Sequence, residues 1–283
     1  TSLLYELIMV HKLRCAAIFF KTPFTPKEII ENIHSTAEKL KFQLIERATP
    51  VNHLEIAAYC LKLYSVNKLP ILVNLACSPC KFINYEVLKQ AKLMNIKSVV
   101  FGGNPFEYIP LSPASIEINS KNRFSLFPML KDNILRIIRG IRILFTSPKL
   151  FKYLPTFFTA SVLYVNFYTI FLRLRYPGIN RIDYYLYADW DENRINWILN
   201  ELEWKLPHGC NSTWRADCEF EAVKNSAFKN NLGFTYAHAM YSNLIRAGKI
   251  TRSEAIRRLE KENISETRLS EVLTLCSLSN DIF

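Results

Sequence analysis

Glycine is scarce in this chain, with seven residues among 283, and its 13 prolines recur without period. Collagen-like and linker-dominated architectures are thereby excluded. No internal repeat is evident, and no G-x-S-x-G, Walker A or dinucleotide-binding fingerprint occurs, which removes the usual short signatures of an α/β-hydrolase, a P-loop NTPase and a Rossmann oxidoreductase. No basic start, apolar stretch and cleavage site open the sequence. The seven cysteines (Cys15, Cys60, Cys77, Cys80, Cys210, Cys218, Cys276) are odd in number and irregularly spaced. A reducing, cytoplasmic setting is the expectation. The five histidines show no metal or triad spacing, and His34 and His53 fall in helical stretches and read as structural. The chain starts at Thr1 rather than Met, which suggests a fragment whose true start lies upstream.

What is present is enough apolar material for a core: 49% hydrophobic residues against 22% charged. Disorder is excluded, and one or two domains is the length prior. The formal charge of +11 is local. Residues 121–180 carry ten basic side chains against one acid, Asp132, and so supply +9 of it. The remainder is close to neutral, which fits neither a DNA-binding protein nor a large RNA footprint. Inside the basic block, Tyr153 to Leu172 is a run of 20 uncharged residues between Lys149 and Lys152 on one side and Arg173 and Arg175 on the other. A transmembrane span, an interfacial membrane contact and the buried core of a helical lid are all compatible with that length. Pro155, Asn166 and the hydroxyls at Thr156, Thr159, Ser161 and Thr169 weaken the first.

The first hundred residues alternate strand and helix signals. Residues 15–20 form an apolar run suited to a buried parallel strand. Thr25-Pro-Lys-Glu28 reads as a helix start, with Thr25 as N-cap and Glu28 closing a capping box. A strand at 42–46, a helix at 53–66, a helix at 85–94 and a strand at 97–101 follow, and this alternation predicts βαβ units with a parallel, helix-covered sheet. Residues 1–10 read as a helix with Leu3, Leu4, Leu7 and Ile8 on one face. From about 189 onward the pattern is helical, with a helix at 191–202, a segment from Asn243 to Lys249, and a second capping box at Thr251-Arg-Ser-Glu254.

Three clusters carry chemistry. Cys77-Ser-Pro-Cys80 places two thiols on one turn. A metal or iron–sulfur site completed by Cys218, or by Cys210 with His208, a redox or sulfur-relay pair, and ordinary loop cysteines are three readings of it. Phe101-Gly-Gly-Asn-Pro-Phe-Glu107 follows a strand, and its two glycines would let backbone N–H groups approach an anion. Ser212-Thr-Trp-Arg-Ala-Asp-Cys218 offers Arg215 as a phosphate contact, or an Arg215/Asp217 surface pair.

These clusters, with Trp197-Ile-Leu-Asn-Glu-Leu-Glu-Trp-Lys-Leu-Pro207 and Tyr241-Ser-Asn-Leu-Ile-Arg-Ala-Gly-Lys-Ile-Thr-Arg-Ser-Glu-Ala255, resemble the PP-loop ATP pyrophosphatases, in the branch of N-acetyl sugar amidotransferases of surface polysaccharide biosynthesis. The family's Ser-Gly-Gly-x-Asp-Ser loop would lie immediately before Thr1. The resemblance implies an α/β fold: a parallel-sheet nucleotide-binding, PP-loop-like domain over 1–120, a basic apolar helical insertion or lid over 121–180, and a helical C-terminal region over 181–283. It implies an ATP-dependent ligase that adenylates a carbonyl oxygen of a sugar-nucleotide or lipid-linked sugar, releases pyrophosphate, and then admits ammonia from a partner glutaminase. ATP and Mg2+ are the implied cofactors, with Zn2+ or an iron–sulfur cluster at Cys77, Cys80 and Cys218. Phe20, Lys21, Gly102, Gly103 and Asn104 are expected near the nucleotide, and Arg215 and Asp217 in catalytic positions. A sulfur transferase using Cys77 and Cys80, and a non-catalytic protein bound peripherally to the inner face of a membrane through 121–180, are the alternatives.

Overall fold

A computed structural model describes residues 1–107, 142, 145–210, 212–261, 265–279 and 282. Most of the first half of the basic block, with Lys121, Arg123, Lys131, Asp132, Arg136 and Arg139, lies outside them.

The fold is mixed α/β, with short parallel strand pairs. Strand β1 (Ala16–Lys21) pairs in parallel with β2 (Gln43–Ala48), bringing Phe20 opposite Arg47. Between them runs α2 (Lys27–Leu40), whose buried face combines Ile29 and Leu40 with Asn32 and Thr36, while Ile30, Ile33 and Ala37 are half-buried beside it. Its start differs from the expected capping box. The Thr25 hydroxyl accepts the Thr22 N–H at 3.0 Å and pairs with the Thr22 hydroxyl at 3.2 Å, so Thr25 closes the preceding turn. Helix α2 begins after Pro26 without a side-chain cap. The next helix, α3 (His53–Asn67), is capped by Asn52, whose side chain accepts the Glu55 N–H at 3.1 Å.

Helix α4 (Pro70–Ala76), a 3-10 turn over Ser78–Phe82 and α5 (Ile83–Leu93) lead into β3 (Ser98–Phe101). That strand pairs in parallel with β4 (Asn180–Asp183), and Phe101 meets Asp183. The described residues thus form two separate two-stranded parallel pairs and not one continuous sheet. Phe20 of β1 and Val99 of β3 belong to one buried cluster with Phe82, Leu88 and Tyr164, so both pairs flank the same core.

The N-terminal helix, α1, is α-helical only over Ser2–Tyr5 and widens to a π-helix over Glu6–Val10. Its apolar stripe is nonetheless used: Leu4 and Ile8 pack beside Leu40, Ile198 and Leu202. The 20-residue uncharged run is broken into α6 (Leu150–Phe157), a π-helix over Phe158–Asn166 and α7 (Tyr168–Arg175). Tyr153, Phe157, Ala160, Tyr164 and Leu172 are buried in the protein core. Among the described residues no helix is long and apolar enough to cross a membrane.

Helices α8 (Glu192–Glu201), α9 (Phe220–Leu232), α10 (Tyr236–Arg246), α11 (Arg252–Lys261) and α12 (Glu266–Leu275) complete the chain. Asn243 lies in the last turns of α10, which stops short of Gly248 in the left-handed region (φ 68°), so Asn243 to Lys249 is a helix end and its exit turn. Thr251 makes half of the second predicted box, accepting the Glu254 N–H at 3.1 Å. The Glu254 carboxylate turns instead to Arg257 and Arg258. The largest core joins α3, α4, α6, α9 and α12 through Tyr64, Val73, Phe157, Val223 and Leu273.

Candidate functional site

The strands β3 and β4 end side by side, and the chain beyond each end borders a cavity of about 850 Å³. Gly102, Gly103, Asn104 and Glu107 enter it from β3, Tyr185 from β4, and Ser2 from the first turn of α1. Ligands of parallel α/β proteins bind at the carboxyl ends of the strands, and this is such a position.

The loop after β3 is shaped by local sequence. A Cβ on Gly102 would come within 2.8 Å of Leu3 Cδ2, so glycine is what allows α1 to approach the strand end. At Gly103 a Cβ would meet nothing within 4 Å, which leaves the backbone there open to a ligand. Asn104 closes the turn: its Oδ1 accepts the Phe106 N–H at 2.9 Å, while its Nδ2 faces Met240 Sδ at 3.6 Å. The 3-10 turn Pro105–Glu107 that follows is tied to α10, where Asn243 Nδ2 donates to the Phe106 carbonyl at 2.7 Å.

Glu107 is the organising carboxylate of the far wall. It accepts Trp214 Nε1–H at 2.8 Å and an Arg215 N–H at 3.2 Å. Burial raises its pKa, against the opposing effects of Arg215 and Trp214. Arg215 sits in the left-handed backbone region (φ 51°), as do the helix-terminating Lys41 and Lys68. Its Nε is buried and has no partner among the described residues. Burial disfavours its charge, but Glu221, Glu107 and Asp217 more than offset this and hold the guanidinium protonated. The carboxylates that contact it are Glu107 and, at 3.9 Å, Glu221; Asp217 is exposed and does not line the cavity.

Behind Arg215 lies a buried ion pair on α9. Lys224 Nζ donates to Glu221 Oε2 at 3.1 Å and stands 4.6 Å from the centre of the Tyr236 ring. The pair explains itself electrostatically: burial penalises both charges, Lys224 pulls the Glu221 carboxyl down and Glu221 pushes the Lys224 pKa up.

The three expected thiols converge on the same region. Cys77, Cys80 and Cys218 perturb one another electrostatically, and Lys224 acts on all three. Burial raises each thiol pKa, that of Cys80 to about 12, so the thiols are protonated at neutral pH. Among the described residues no three His, Cys, Asp or Glu side chains are arranged to hold a metal ion. Cys210 lies apart, beside Arg268 and Glu219, and His208 is exposed.

Of the expected nucleotide contacts, Gly102, Gly103 and Asn104 line the cavity together with Arg215. Phe20 is a core residue, 8% exposed, and Lys21 is exposed at the end of β1; neither reaches the cavity. Sequence reasoning missed the aromatic walls. Trp190, Trp204 and Trp214 are three of the four tryptophans in the chain, and all three line this cavity, as does Tyr241. The available signal was tryptophan among charged neighbours, Trp190 between Asp189 and Asp191 and Trp204 between Glu203 and Lys205. Arg258 and Lys261 of α11 complete the rim, Arg258 being held by both oxygens of Glu192 at 2.9 Å. A cavity with flat aromatic surfaces, open backbone at glycine and fixed cations can hold a ligand with a planar ring or sugar at one end and an anionic group at the other.

No family model matches the chain, and neither a curated protein nor a solved structure matches it.

Proposed function

We propose that the protein is an ATP-dependent ligase of the PP-loop amidotransferase type, acting on a carbonyl group of a sugar or glycan precursor. The observation that carries this reading is the convergence, in one cavity at the ends of two parallel strands, of Gly102-Gly103-Asn104, three tryptophans and the charged Arg215. In the first step the carbonyl oxygen attacks the α-phosphorus of MgATP and pyrophosphate leaves with the electrons of the broken P–O bond. In the second, ammonia adds to the activated carbon and AMP departs with that oxygen. Backbone N–H groups at Gly103 would receive the phosphates, and Arg215 would offset the charge developing on them. The tryptophans would stack the adenine or the sugar.

A second reading, sulfur transfer, is favoured by the thiols of Cys77, Cys80 and Cys218 lying beside the same Lys224 that backs Arg215. Intrinsic fluorescence separates binding from chemistry, because three of the four tryptophans line the cavity. Titration with MgATP is expected to quench it, and Arg215→Ala to weaken that titration by roughly tenfold or more, the loss of a charge-assisted contact. Pyrophosphate release that ammonium stimulates supports the ligase; release that requires a sulfide source, and is abolished in Cys77→Ser, supports the transferase. A chain that neither binds ATP nor releases pyrophosphate overturns both.

A further inference from the structure

Among the described residues, helices α6 and α7 and the π-helix between them bury one set of apolar side chains and expose another. The inner side carries Leu150, Tyr153 and Phe157 into the main core and Ala160, Tyr164 and Leu172 into the core beneath the strands. On the outer side Phe151, Phe158, Phe167, Ile170 and Leu174 are each more than half exposed, as is Phe145 just before α6. The spacing is helical: Phe151 and Phe158 are seven apart, and Phe167, Ile170 and Leu174 stand three and four apart, so each set shares a face. Large side chains exposed in such concentration mark a contact surface.

Charge selects the occupant. Lys149, Lys152, Arg173 and Arg175 are exposed around these residues, and no Asp or Glu occurs anywhere from 133 to 182. Lys152 is satisfied by Glu55 at 2.6 Å, whereas Arg173 and Arg175 flank Leu174, the most exposed of the outer apolar side chains on α7. A second copy of the chain would bring these cations against their own equivalents, a self-complementary contact that like charges oppose. A bilayer with anionic headgroups instead accepts apolar side chains into its acyl boundary and attracts the surrounding Lys and Arg. The helices are too short to span it, so the contact lies in the plane of the interface.

We propose that this outer face, Phe145 to Arg175, docks the protein peripherally on an anionic membrane surface. The inference is independent of the reaction assigned to the cavity. The test is co-sedimentation of the full chain with vesicles of phosphatidylcholine alone and of phosphatidylcholine containing phosphatidylglycerol. Binding is expected to the anionic vesicles, to weaken as salt is raised, and to fall roughly tenfold or more in Phe158→Ser with Leu174→Ser, two outward side chains whose loss leaves both cores intact. Arg173→Glu with Arg175→Glu is expected to remove the preference for anionic lipid, with an unchanged circular dichroism spectrum in both double variants. Failure to bind either vesicle, or binding that neither double variant alters, overturns the proposal. So does a dimer in light scattering that Phe158→Ser with Leu174→Ser dissociates, since the face would then be filled by a second copy.

Discussion

At the scale of single residues, burial without a full set of partners sets the behaviour. His53 is 2% exposed, donates from Nε2 to the Ala76 carbonyl at 3.0 Å and leaves Nδ1 buried with no partner among the described residues. Burial lowers its pKa to about 4, against 6.5 unfolded. The unfolded chain therefore binds a proton below pH 6.5 that the folded chain refuses until about pH 4. Stability is full above pH 6.5 and is lost as the pH falls through that window, by about 3 kcal/mol in all. The urea midpoint measured at pH 7 and pH 4.5 is expected to drop for the wild type, and His53→Gln is expected to flatten the difference. Its helical surroundings marked His53 as structural in the sequence; the direction of its titration was not legible there, because it depends on which side of α3 faces Phe24. Gly102 behaves differently from Gly103 for an equally local reason. Gly102→Ala drives a methyl into Leu3 and is expected to cost about 1–3 kcal/mol, whereas Gly103→Ala points into open space and is expected to leave the melting temperature within a degree or two. Thermal melts of the two variants compare them directly.

At the scale of elements, apolar periodicity places helices and strands within one or two residues of where they occur, as at β1, α2, α3 and α8. What escapes it is decided by polar contacts that apolar spacing does not encode. Thr25 has the sequence of an N-cap and serves instead to close a turn on Thr22, three residues back. Helix α9 carries Glu221 and Lys224 where a solvated face would carry them, yet over Phe220–Phe228 it is covered on every side and both charges are buried; only its last turn, from Lys229, is exposed. Their pairing converts an apparently ordinary surface pattern into the support of Arg215. Lys224→Met is expected to cost about 3 kcal/mol by leaving the buried Glu221 carboxylate without its hydrogen-bonded partner and with Arg215, at 3.9 Å, left to offset it, and Glu221→Gln in the same chain is expected to recover a large part of that. Chemical denaturation of the two single variants and the double variant closes the cycle.

At the scale of the whole molecule, the candidate site was legible only in part. The loop Gly102 to Asn104 and Arg215 announce themselves by residue type and do meet in space. The tryptophans come from three separate loops, and only the closing of the C-terminal helices on the strand ends brings them together. The net charge of +11 likewise resolves into a position: a chain close to neutral outside 121–180, and, among the described residues of that segment, Lys149, Lys152, Arg173 and Arg175 beside exposed apolar side chains.

The two strand pairs carry one further consequence. Along a strand, successive peptide groups point to opposite sides, so a strand in a two-membered parallel ladder uses half of its main-chain donors and acceptors on its partner and turns the rest outward. Among the described residues each of the four strands has one partner, and each therefore keeps a row of uncommitted main-chain groups. Most side chains of these strands are half-buried or exposed, so among the described residues the outer edges of the β1–β2 and β3–β4 pairs are open main chain to which another extended segment could add.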